Sequence, residues 1–433
     1  MKHFTKTLLL STFFIYIFLS DTLGQAGYCN LWPRFDQEMF PTVTKTADVV
    51  FGANLDHTGA NTILKMDIFE PDGDVMPMRP LIILAHGGSF VGGDKSNQDQ
   101  ADLCTHFAKR GYVCATINYR LGIAFPINAA TATDAVYRSV QDMKAAIRFF
   151  RKDAATNNNY KIDPGVVFVG GTSAGAFTAL HLAYMDTYAE LPSTIDTAAL
   201  GDLEGNSGNP GYATNVNAVI NLCGALGEAN WIIPGDPPLV SMHGTMDGTV
   251  PYATAMLYLL NIFPIMVVDG SYSIHSYLNT INHPNEMYTW YGQGHVPYYG
   301  ATPANLAYLD TSVRFVSNFL YKYYGCTPTD LNPIQNTFLT SGTGELVMEN
   351  DVRLGNNPVN EFVTLYQESN RNYQFTMMNA AGQTVVQTVV QTVGQANGQI
   401  PFTFSVKELA SGLYFLHYKA VDKSGILKVV VQH

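Results

Sequence analysis

The segment around Ser173 constrains the fold of this chain more than any other. Residues 166–170 form a short β-branched and aromatic run, typical of a strand, and residues 176–183 form an apolar run typical of a helix. Between them stands the sequence GTSAG, at residues 171–175. In a strand–turn–helix context this G-x-S-x-G pattern is typical of a sharp turn that holds its serine in a strained backbone conformation. The sequence therefore predicts Ser173 as a candidate nucleophile on a strained turn, where small neighbours keep the approach to its hydroxyl open.

A second glycine-rich turn precedes this one in the chain. Residues 80–85 are an unbroken apolar run, as in a buried parallel strand, and HGGSF follows at residues 86–90. Glycine lets other groups approach the main chain closely, and fixed N–H groups stabilise the charge that develops on a carbonyl oxygen during acyl transfer. We expect such donors from Gly88 and Ser89, joined by Ala174 just after the candidate nucleophile. An ordinary strand-to-loop turn is the alternative.

Candidate partners for Ser173 lie downstream of it. Asp247 follows a short predicted strand, and His295 lies on a glycine-flanked loop after another. A carboxylate in such a place can orient a histidine and stabilise its charged form. Asp236 is a rival for the acid, but it precedes the strand and lies among Pro and Gly. The order Ser, Asp, His differs from that of chymotrypsin and subtilisin and matches that of the α/β-hydrolases.

At these positions the chain resembles the α/β-hydrolase superfamily, specifically its secreted carboxylesterase and feruloyl-esterase-like members. The resemblance covers residues 45–325, in which predicted strands and helices alternate as in a mostly parallel sheet flanked by helices. Many relatives carry a third glycine where this chain has Ser89, which changes the expected shape of the acyl pocket but keeps the backbone donor. The matching motifs are DIFEP at 67–71, HGGSF at 86–90, GYV at 111–113, NYR at 118–120, GTSAG at 171–175, HGTMDGTVP at 243–251 and GQGH at 292–295.

The resemblance implies a serine carboxylic-ester hydrolase with Ser173 as nucleophile, His295 as base and Asp247 as its orienting acid. No C-x-x-C motif or His-rich cluster suggests a metal, and this chemistry needs no cofactor. Acetyl or feruloyl esters of polysaccharides fit as substrates of an exported enzyme. Three alternatives remain open. They are a serine peptidase of the prolyl-oligopeptidase type, a lipase or polyester hydrolase, and a non-catalytic binding protein on a hydrolase scaffold. Peptidases of that type usually carry a propeller or a large N-terminal domain, and this chain has few residues ahead of the sheet.

Two long segments are candidates for the substrate cleft. Residues 203–212 are rich in Gly and Asn and predict an irregular loop, and residues 263–285 also read as an irregular stretch. Both should emerge at the carboxyl ends of the strands, where ligands bind in such sheets. With Trp231, Tyr298 and Tyr299 they would build an aromatic cleft; ordinary surface packing is the alternative.

The beginning of the chain predicts a secretory signal over residues 1–26, because two lysines precede an apolar run and small residues follow it. We therefore assign residues 27–326 to the hydrolase domain. Its five cysteines would enter an oxidising compartment, where at most two disulfides form. Cys114 lies inside a predicted strand and is expected to be a buried free thiol. The pairing of the others is left open: Cys29, Cys104, Cys223 and Cys326. The net charge of −11 gives no footprint for nucleic acid.

The composition and the predicted secondary structure of the chain change after residue 326. Residues 327–358 are rich in Asn, Gly, Thr and Pro and predict a linker, and residues 359–433 contain short strands separated by turns, as in a small antiparallel sandwich. This region resembles the C-terminal sorting domain of the Bacteroidota type IX secretion system, through NPVNEFV at 357–363, NAAGQ at 379–383, LASGLY at 409–414 and KVVV at 428–431. The resemblance implies the type IX machinery as a partner of residues 359–433 and export through the periplasm to the cell surface or medium. A sugar-binding sandwich is the alternative.

Overall fold

The computed structural model describes residues 34–260, 262–322, 352–354, 359–367, 373–379, 384–390, 400–419 and 424–433. The chain divides into two units, Met1–Leu331 and Asn332–His433. The predicted signal segment, Cys29, Cys326 and all of the predicted linker except residues 352–354 lie outside the described residues. The domain boundaries drawn from the sequence therefore stay predictions.

An eight-stranded sheet forms the centre of the first unit, in the order β1-β2-β4-β3-β5-β6-β8-β11. The six strands from β4 to β11 in this order are parallel, and β1 and β2 add an antiparallel edge. Every residue of β3, β4 and β6 is buried, as expected for parallel strands covered on both faces. The strands of this unit are β1 (Val43–Leu55), β2 (Asn61–Pro71), β3 (Arg79–Ala85), β4 (Val113–Ile117), β5 (Ile162–Thr172), β6 (Ala218–Leu222), β7 (Ala225–Leu226), β8 (Leu239–Gly244), β9 (Ala255–Leu259), β10 (Phe263–Gly270) and β11 (Asn285–Trp290).

Helices connect these strands and pack against the sheet in two groups, with α1 against α6 and α2 against α3. The alternation of strand and helix, and the largely parallel sheet, confirm the predicted α/β-hydrolase fold class. The helices are α1 (Gln98–Lys109), α2 (Ala129–Ala155), α3 (Ala174–Tyr184), α4 (Thr197–Leu200), α5 (Ser271–Thr280) and α6 (Pro303–Lys322).

The segment 203–212 contains no helix or strand, as predicted, and it lies against α2. Four side chains on α2, spaced by three or four residues and so on one face, donate to backbone carbonyls at residues 200–213. These bonds are Gln141 Nε2 to Leu200 O at 2.9 Å, Lys144 Nζ to Leu203 O at 2.8 Å, Arg148 Nη1 to Glu204 O at 2.7 Å and Arg151 Nη1 to Ala213 O at 2.6 Å.

The segment 263–285 is not irregular, contrary to the prediction. It contains β10 and α5, and β10 pairs antiparallel with β9 and β7 to form a small second sheet. The sequence AMLYLLNIFPIMVV, at residues 255–268, is apolar at almost every position and shows no period of two. The hairpin does not show as a period of two in the sequence, because apolar side chains occupy both of its faces.

The prediction for Cys114 is wrong, because a disulfide joins it to Cys104 with the Cα atoms 5.2 Å apart. Gly111, at φ 102°, makes the tight turn that folds α1 back onto β4, and this turn brings the helix cysteine against the strand cysteine. Among the described residues, the buried free thiol is Cys223.

The second unit consists of antiparallel strands in two sheets, β12-β13-β16 and β15-β14-β17-β18. Both sheets contribute to one hydrophobic core, which includes Val363, Phe375 and Leu416. This confirms the predicted all-β region after the hydrolase fold. Its strands are β12 (Val352–Leu354), β13 (Phe362–Gln367), β14 (Tyr373–Asn379), β15 (Thr384–Val390), β16 (Ile400–Ser405), β17 (Gly412–Lys419) and β18 (Ser424–Val431).

Candidate active site

Ser173 stands at the turn between β5 and α3 with φ 56° and ψ −119°, a conformation that costs energy for any residue with a Cβ. Its N–H donates to Leu222 O at 2.9 Å, which ties the turn to the neighbouring strand β6. Neighbouring glycines are required sterically, because a Cβ on Gly171 or Gly175 would lie 2.5 or 2.0 Å from Ala85 O. The GTSAG sequence thus lets α3 begin directly against the end of β3.

The turn that follows β3 lies against Ser173. A Cβ on Gly87 would lie 3.3 Å from Ser173 Cβ. Gly88 has φ 124°, and a Cβ there would lie 2.1 Å from Gly92 O, so this turn also depends on glycine. Ser89 and Phe90 follow at φ 56° and 60°.

Three backbone N–H groups near Ser173 are available to a ligand. Within residues 34–260 and 262–322, the N–H groups of Gly88, Ser89 and Ala174 donate to no protein acceptor. Ala174 is the first residue of α3, where N–H groups have no intrahelical acceptor and the helix dipole favours negative charge. Ser89, Ala174 and Ser173 line one cleft, and Gly88 directly precedes Ser89 in the turn after β3.

Asp247 and His295 meet across the ends of two neighbouring parallel strands, β8 and β11. Asp247 Oδ2 lies 2.6 Å from His295 Nδ1, and Asp247 Oδ1 accepts N–H groups of Thr249 at 2.8 Å and Val250 at 2.9 Å. Burial alone would raise the pKa of Asp247, but hydrogen bonds from His243, His295 and the backbone outweigh it and hold the pKa well below its usual value. The carboxylate is therefore ionised at neutral pH.

The second nitrogen of His295, Nε2, is left for proton transfer because Asp247 engages Nδ1. In the part of the chain that the structure describes, no hydrogen bond joins the Ser173 hydroxyl to the His295 ring; such bonds are often long until substrate is bound. Val296, at φ 50°, gives the loop after His295 a sharp turn.

His243 is a residue that sequence analysis did not connect with the acid. Its Nε2 lies 3.1 Å from Asp247 Oδ2, and its Nδ1 lies 2.8 Å from Ser271 Oγ. Asn221 Nδ2 donates to Ser271 Oγ at 3.0 Å, so a buried chain of polar side chains runs from β6 to the acid. The signal in the sequence was a histidine at the end of β8, four residues before Asp247.

The three aromatic residues predicted for the substrate cleft lie in different places. Trp231 lines the cleft that contains Ser173. Tyr298 is only 2% exposed, and its hydroxyl lies 2.5 Å from Thr172 Oγ1, so it supports the turn from beneath. Tyr299 is 58% exposed and does not line the cleft, and neither does the segment 203–212. The rival acid Asp236 accepts the N–H of Ile233 at 2.8 Å within its own turn.

The cleft beside Ser173 has a volume of about 920 Å³, part of it open to solvent. Its walls come from α2, α3, the segment 185–195 and the β9–β10 hairpin, and they are largely apolar. The lining side chains include Phe90, Val136, Phe177, His181, Met185, Trp231, Leu257 and Met266.

A metal ion fits this site poorly. Cys223, Asp247 and His295 each place one potential ligand atom within 4.8 Å of the others. Burial raises the pKa of the Cys223 thiol, however, whereas a metal is bound by the thiolate. The Asp247–His295 bond already uses the nitrogen and oxygen that face each other.

Among the residues that the structure describes, no helix combines the length and hydropathy needed to cross a membrane.

Comparison with known proteins agrees with both resemblances. Residues 66–227 match the family model BD-FAE, which confirms the resemblance to α/β-hydrolases. Residues 357–432 match the model described as secretion system C-terminal sorting domain, which confirms the resemblance of the last part of the chain.

Individual relatives are distant. Gut esterase 1 of Caenorhabditis briggsae is 26% identical over 211 residues, 47% of this chain and 35% of that protein. A neuroligin-like protein of Caenorhabditis elegans is 33% identical over 115 residues, 26% of this chain and 15% of that protein. The chain thus spans about a third or less of the length of these curated relatives. The solved structure of Thermogutta terrifontis esterase 2 phosphorylated by paraoxon has 22% identity and a TM-score of 0.44, covering 67% of this chain and 97% of that one.

Proposed function

We propose that this chain is a serine carboxylic-ester hydrolase that works through a covalent acyl-enzyme. The observation that carries the proposal is the 2.6 Å hydrogen bond between buried Asp247 and His295, on loops of adjacent strands, in a chain that also holds Ser173 in a strained turn. Nucleophile, base and orienting acid are the three groups that acyl transfer needs.

In the first half of the reaction, Ser173 Oγ attacks the ester carbonyl carbon while its proton passes to His295 Nε2. The N–H groups of Gly88, Ser89 and Ala174 bind the oxyanion, each donor lowering the barrier by about 3 kcal/mol. The tetrahedral intermediate collapses, the bond to the alkoxy oxygen breaks, and His295 gives its proton to the departing alcohol. Asp247 holds the imidazole in the tautomer that presents Nε2 and stabilises its charged form.

In the second half, water replaces the alcohol. His295 Nε2 takes a proton from the water as its oxygen attacks the acyl-enzyme carbonyl. The second tetrahedral intermediate collapses, the bond to Ser173 Oγ breaks, and the proton returns to Ser173. The products are a carboxylic acid and the free enzyme, and no cofactor enters the balance.

The finer parts of the proposal rest on the two resemblances. Acetyl or feruloyl esters of polysaccharides are the proposed natural substrates. Residues 359–433 are proposed to direct the chain to the type IX secretion machinery, through the periplasm, after removal of residues 1–26. Residues 27–326 are the proposed catalytic domain.

The decisive experiment is labelling with a fluorophosphonate probe together with hydrolysis of p-nitrophenyl butanoate. We expect the wild type to be labelled at Ser173, Ser173→Ala to lose labelling and turnover, and the exposed control Ser276→Ala to keep both. Labelling at another serine would refute the assignment of the nucleophile. Peptide hydrolysis without ester hydrolysis would favour a peptidase, and a folded wild type without labelling or turnover would favour a binding protein.

A second pair of variants tests the acid. Loss of the group that fixes the base tautomer lowers kcat by about 10⁴-fold in serine proteases. We expect a loss of similar size in Asp247→Asn and nearly normal kcat in Asp236→Asn, because Asp236 is bonded within its own turn. If Asp236→Asn were the worse of the two, the acid would be misassigned.

A further inference from the structure

The cleft beside Ser173 follows one face of α3. Ala174, Phe177 and His181 lie on this face, at spacings of three and four residues. The opposite wall is the β9–β10 hairpin, with Leu257 and Met266 among the residues that reach the cleft. The cleft therefore begins at the candidate nucleophile and extends along the helix.

Three polar side chains that border this cleft form hydrogen bonds within the protein. Tyr137 Oη donates to Gly201 O at 2.9 Å, and Thr133 Oγ1 donates to Ala130 O at 2.9 Å. The ring of His181 is neutral, because burial lowers its pKa to about 4, and its Nδ1 lies 2.7 Å from Phe177 O. A sugar needs several converging hydrogen-bond partners, whereas this surface offers mainly aliphatic and aromatic contact.

The position of the cleft relative to the base decides which half of an ester it holds. The departing alcohol must lie beside His295, because this imidazole gives it a proton. His295 does not line the cleft, whereas the oxyanion donors Ser89 and Ala174 do. The group that extends from the bound carbonyl into the cleft is therefore the acyl group.

We infer that this cleft binds an apolar acyl group with several carbons beyond the carbonyl, and that the β9–β10 hairpin sets the acyl length. The inference rests on the proposed ester hydrolysis and narrows its substrate class, because it sets acetyl esters aside in favour of esters with longer acyl groups. Ala174 and His181 are seven residues apart on α3, or about 10 Å along the helix axis. An acetyl group would occupy only the end beside Ala174. Each further buried methylene is expected to raise kcat/KM about fourfold until the chain passes His181.

The hairpin offers a matched pair of positions for a test. Leu257 and Met256 are neighbours on β9, so their side chains point to opposite faces. Leu257 lines the cleft, whereas Met256 is 39% exposed and does not. A tryptophan at residue 257 should shorten the cleft, and a tryptophan at residue 256 should leave it open.

The experiment measures kcat/KM of the full chain on p-nitrophenyl acetate, butanoate, octanoate and dodecanoate. We expect the octanoate-to-acetate ratio of the wild type to exceed about tenfold. Leu257→Trp should lower this ratio at least about tenfold, and Met256→Trp should change it less than about twofold. Ala132→Leu narrows the same cleft from α2 and should lower the ratio even if Leu257→Trp fails to fold.

Two outcomes would overturn the inference while the proposed function stands. They are a wild type that is labelled by fluorophosphonate but prefers acetate to octanoate, and a ratio that responds equally to tryptophan at residues 256 and 257. A chain that neither hydrolyses any of the esters nor takes the label would instead refute the proposed function, and the inference with it.

Discussion

His243 Nε2 lies 3.1 Å from Asp247 Oδ2, and both side chains are completely buried. The same oxygen accepts the hydrogen bond of His295, so two imidazoles fix one carboxylate from different sides. A buried carboxylate held in this way cannot rotate freely. Its orientation is set before substrate arrives, which lowers the cost of reorganisation during the reaction.

We therefore predict that His243 positions the acid. A hydrogen bond to a charged group contributes about 1.5–3 kcal/mol. His243→Leu should lower kcat by about tenfold to a hundredfold with little change in KM. His243→Gln, which keeps an N–H donor, should recover part of the loss, and steady-state kinetics on p-nitrophenyl butanoate measures both. A Gln variant as impaired as the Leu variant would indicate a packing role.

Asp247 should also make stability depend on pH. Its pKa is lower in the folded protein than in the unfolded chain, so the ionised carboxylate stabilises the fold above the unfolded value of about 3.9. This stabilisation is lost as the pH falls from that value toward the folded pKa. The free energy of unfolding should therefore fall less steeply with acidification in Asp247→Asn than in the wild type, as measured by urea unfolding.

Asp236 provides a control, because its effect on the pH dependence of the free energy of unfolding should be opposite to that of Asp247. Burial raises its pKa, so the folded protein holds this proton more tightly than the unfolded chain does. Asp236→Asn should make the loss of stability with acidification steeper. Equal slopes for the two variants would contradict at least one of the two assignments, and comparison with the wild-type slope identifies which.

Gly88→Ala tests the oxyanion turn. At φ 124°, and with its new Cβ 2.1 Å from Gly92 O, alanine would force residues 86–92 to shift. The N–H groups would move from the developing charge, so kcat should fall more than KM rises. Wild-type kcat with a raised KM would mean that this turn contacts substrate and does not bind the oxyanion.

Removal of residues 328–433 tests the role of the second unit. All groups proposed for the chemistry lie in the first unit, so kcat/KM on p-nitrophenyl butanoate should be unchanged. In a host with type IX secretion, cell fractionation should find the shortened chain in the periplasm. A folded shortened chain without ester hydrolysis would show that the second unit contributes to the site. Normal export with lost binding to an insoluble glycan would favour a sugar-binding sandwich.

The parts that were predictable from sequence depend on short local patterns. GTSAG after an apolar run specifies the strained turn. A Cβ on Gly175 would lie 2.0 Å from Ala85 O, so few other sequences allow α3 to begin this close to the end of β3. The strands of the parallel sheet are continuous apolar runs, and the β-sandwich strands are separated by turn residues. In each case backbone geometry and composition decide the structure within about ten residues.

The parts that were missed depend on contacts between distant segments. Tyr298 lies under the turn because its hydroxyl meets Thr172, which is 126 residues away. The bond of His243 to Ser271 forms only when α5 packs against β8. Cys104 reaches Cys114 through the fold of α1 onto β4. No pattern within one segment records such contacts, and the uniform hydrophobicity of residues 255–268 concealed which face of the hairpin is buried.

The bonds from α2 to the irregular segment have a consequence for how this chain can vary. The donors on α2 bind backbone carbonyls at residues 200–213, and every residue type has a carbonyl. Most side chains of the segment can therefore change without loss of these four bonds, whereas the donors on α2 cannot. Glu204 and Ser207 are exceptions, because Glu204 Oε1 accepts from Lys144 Nζ at 2.9 Å and Ser207 Oγ donates to Asp142 Oδ1 at 2.6 Å. Gly205 is a third, because a Cβ there would lie 2.5 Å from Gln141 Cβ. Substitutions on α2 should therefore disturb the main chain of this segment more than substitutions at most positions within the segment itself.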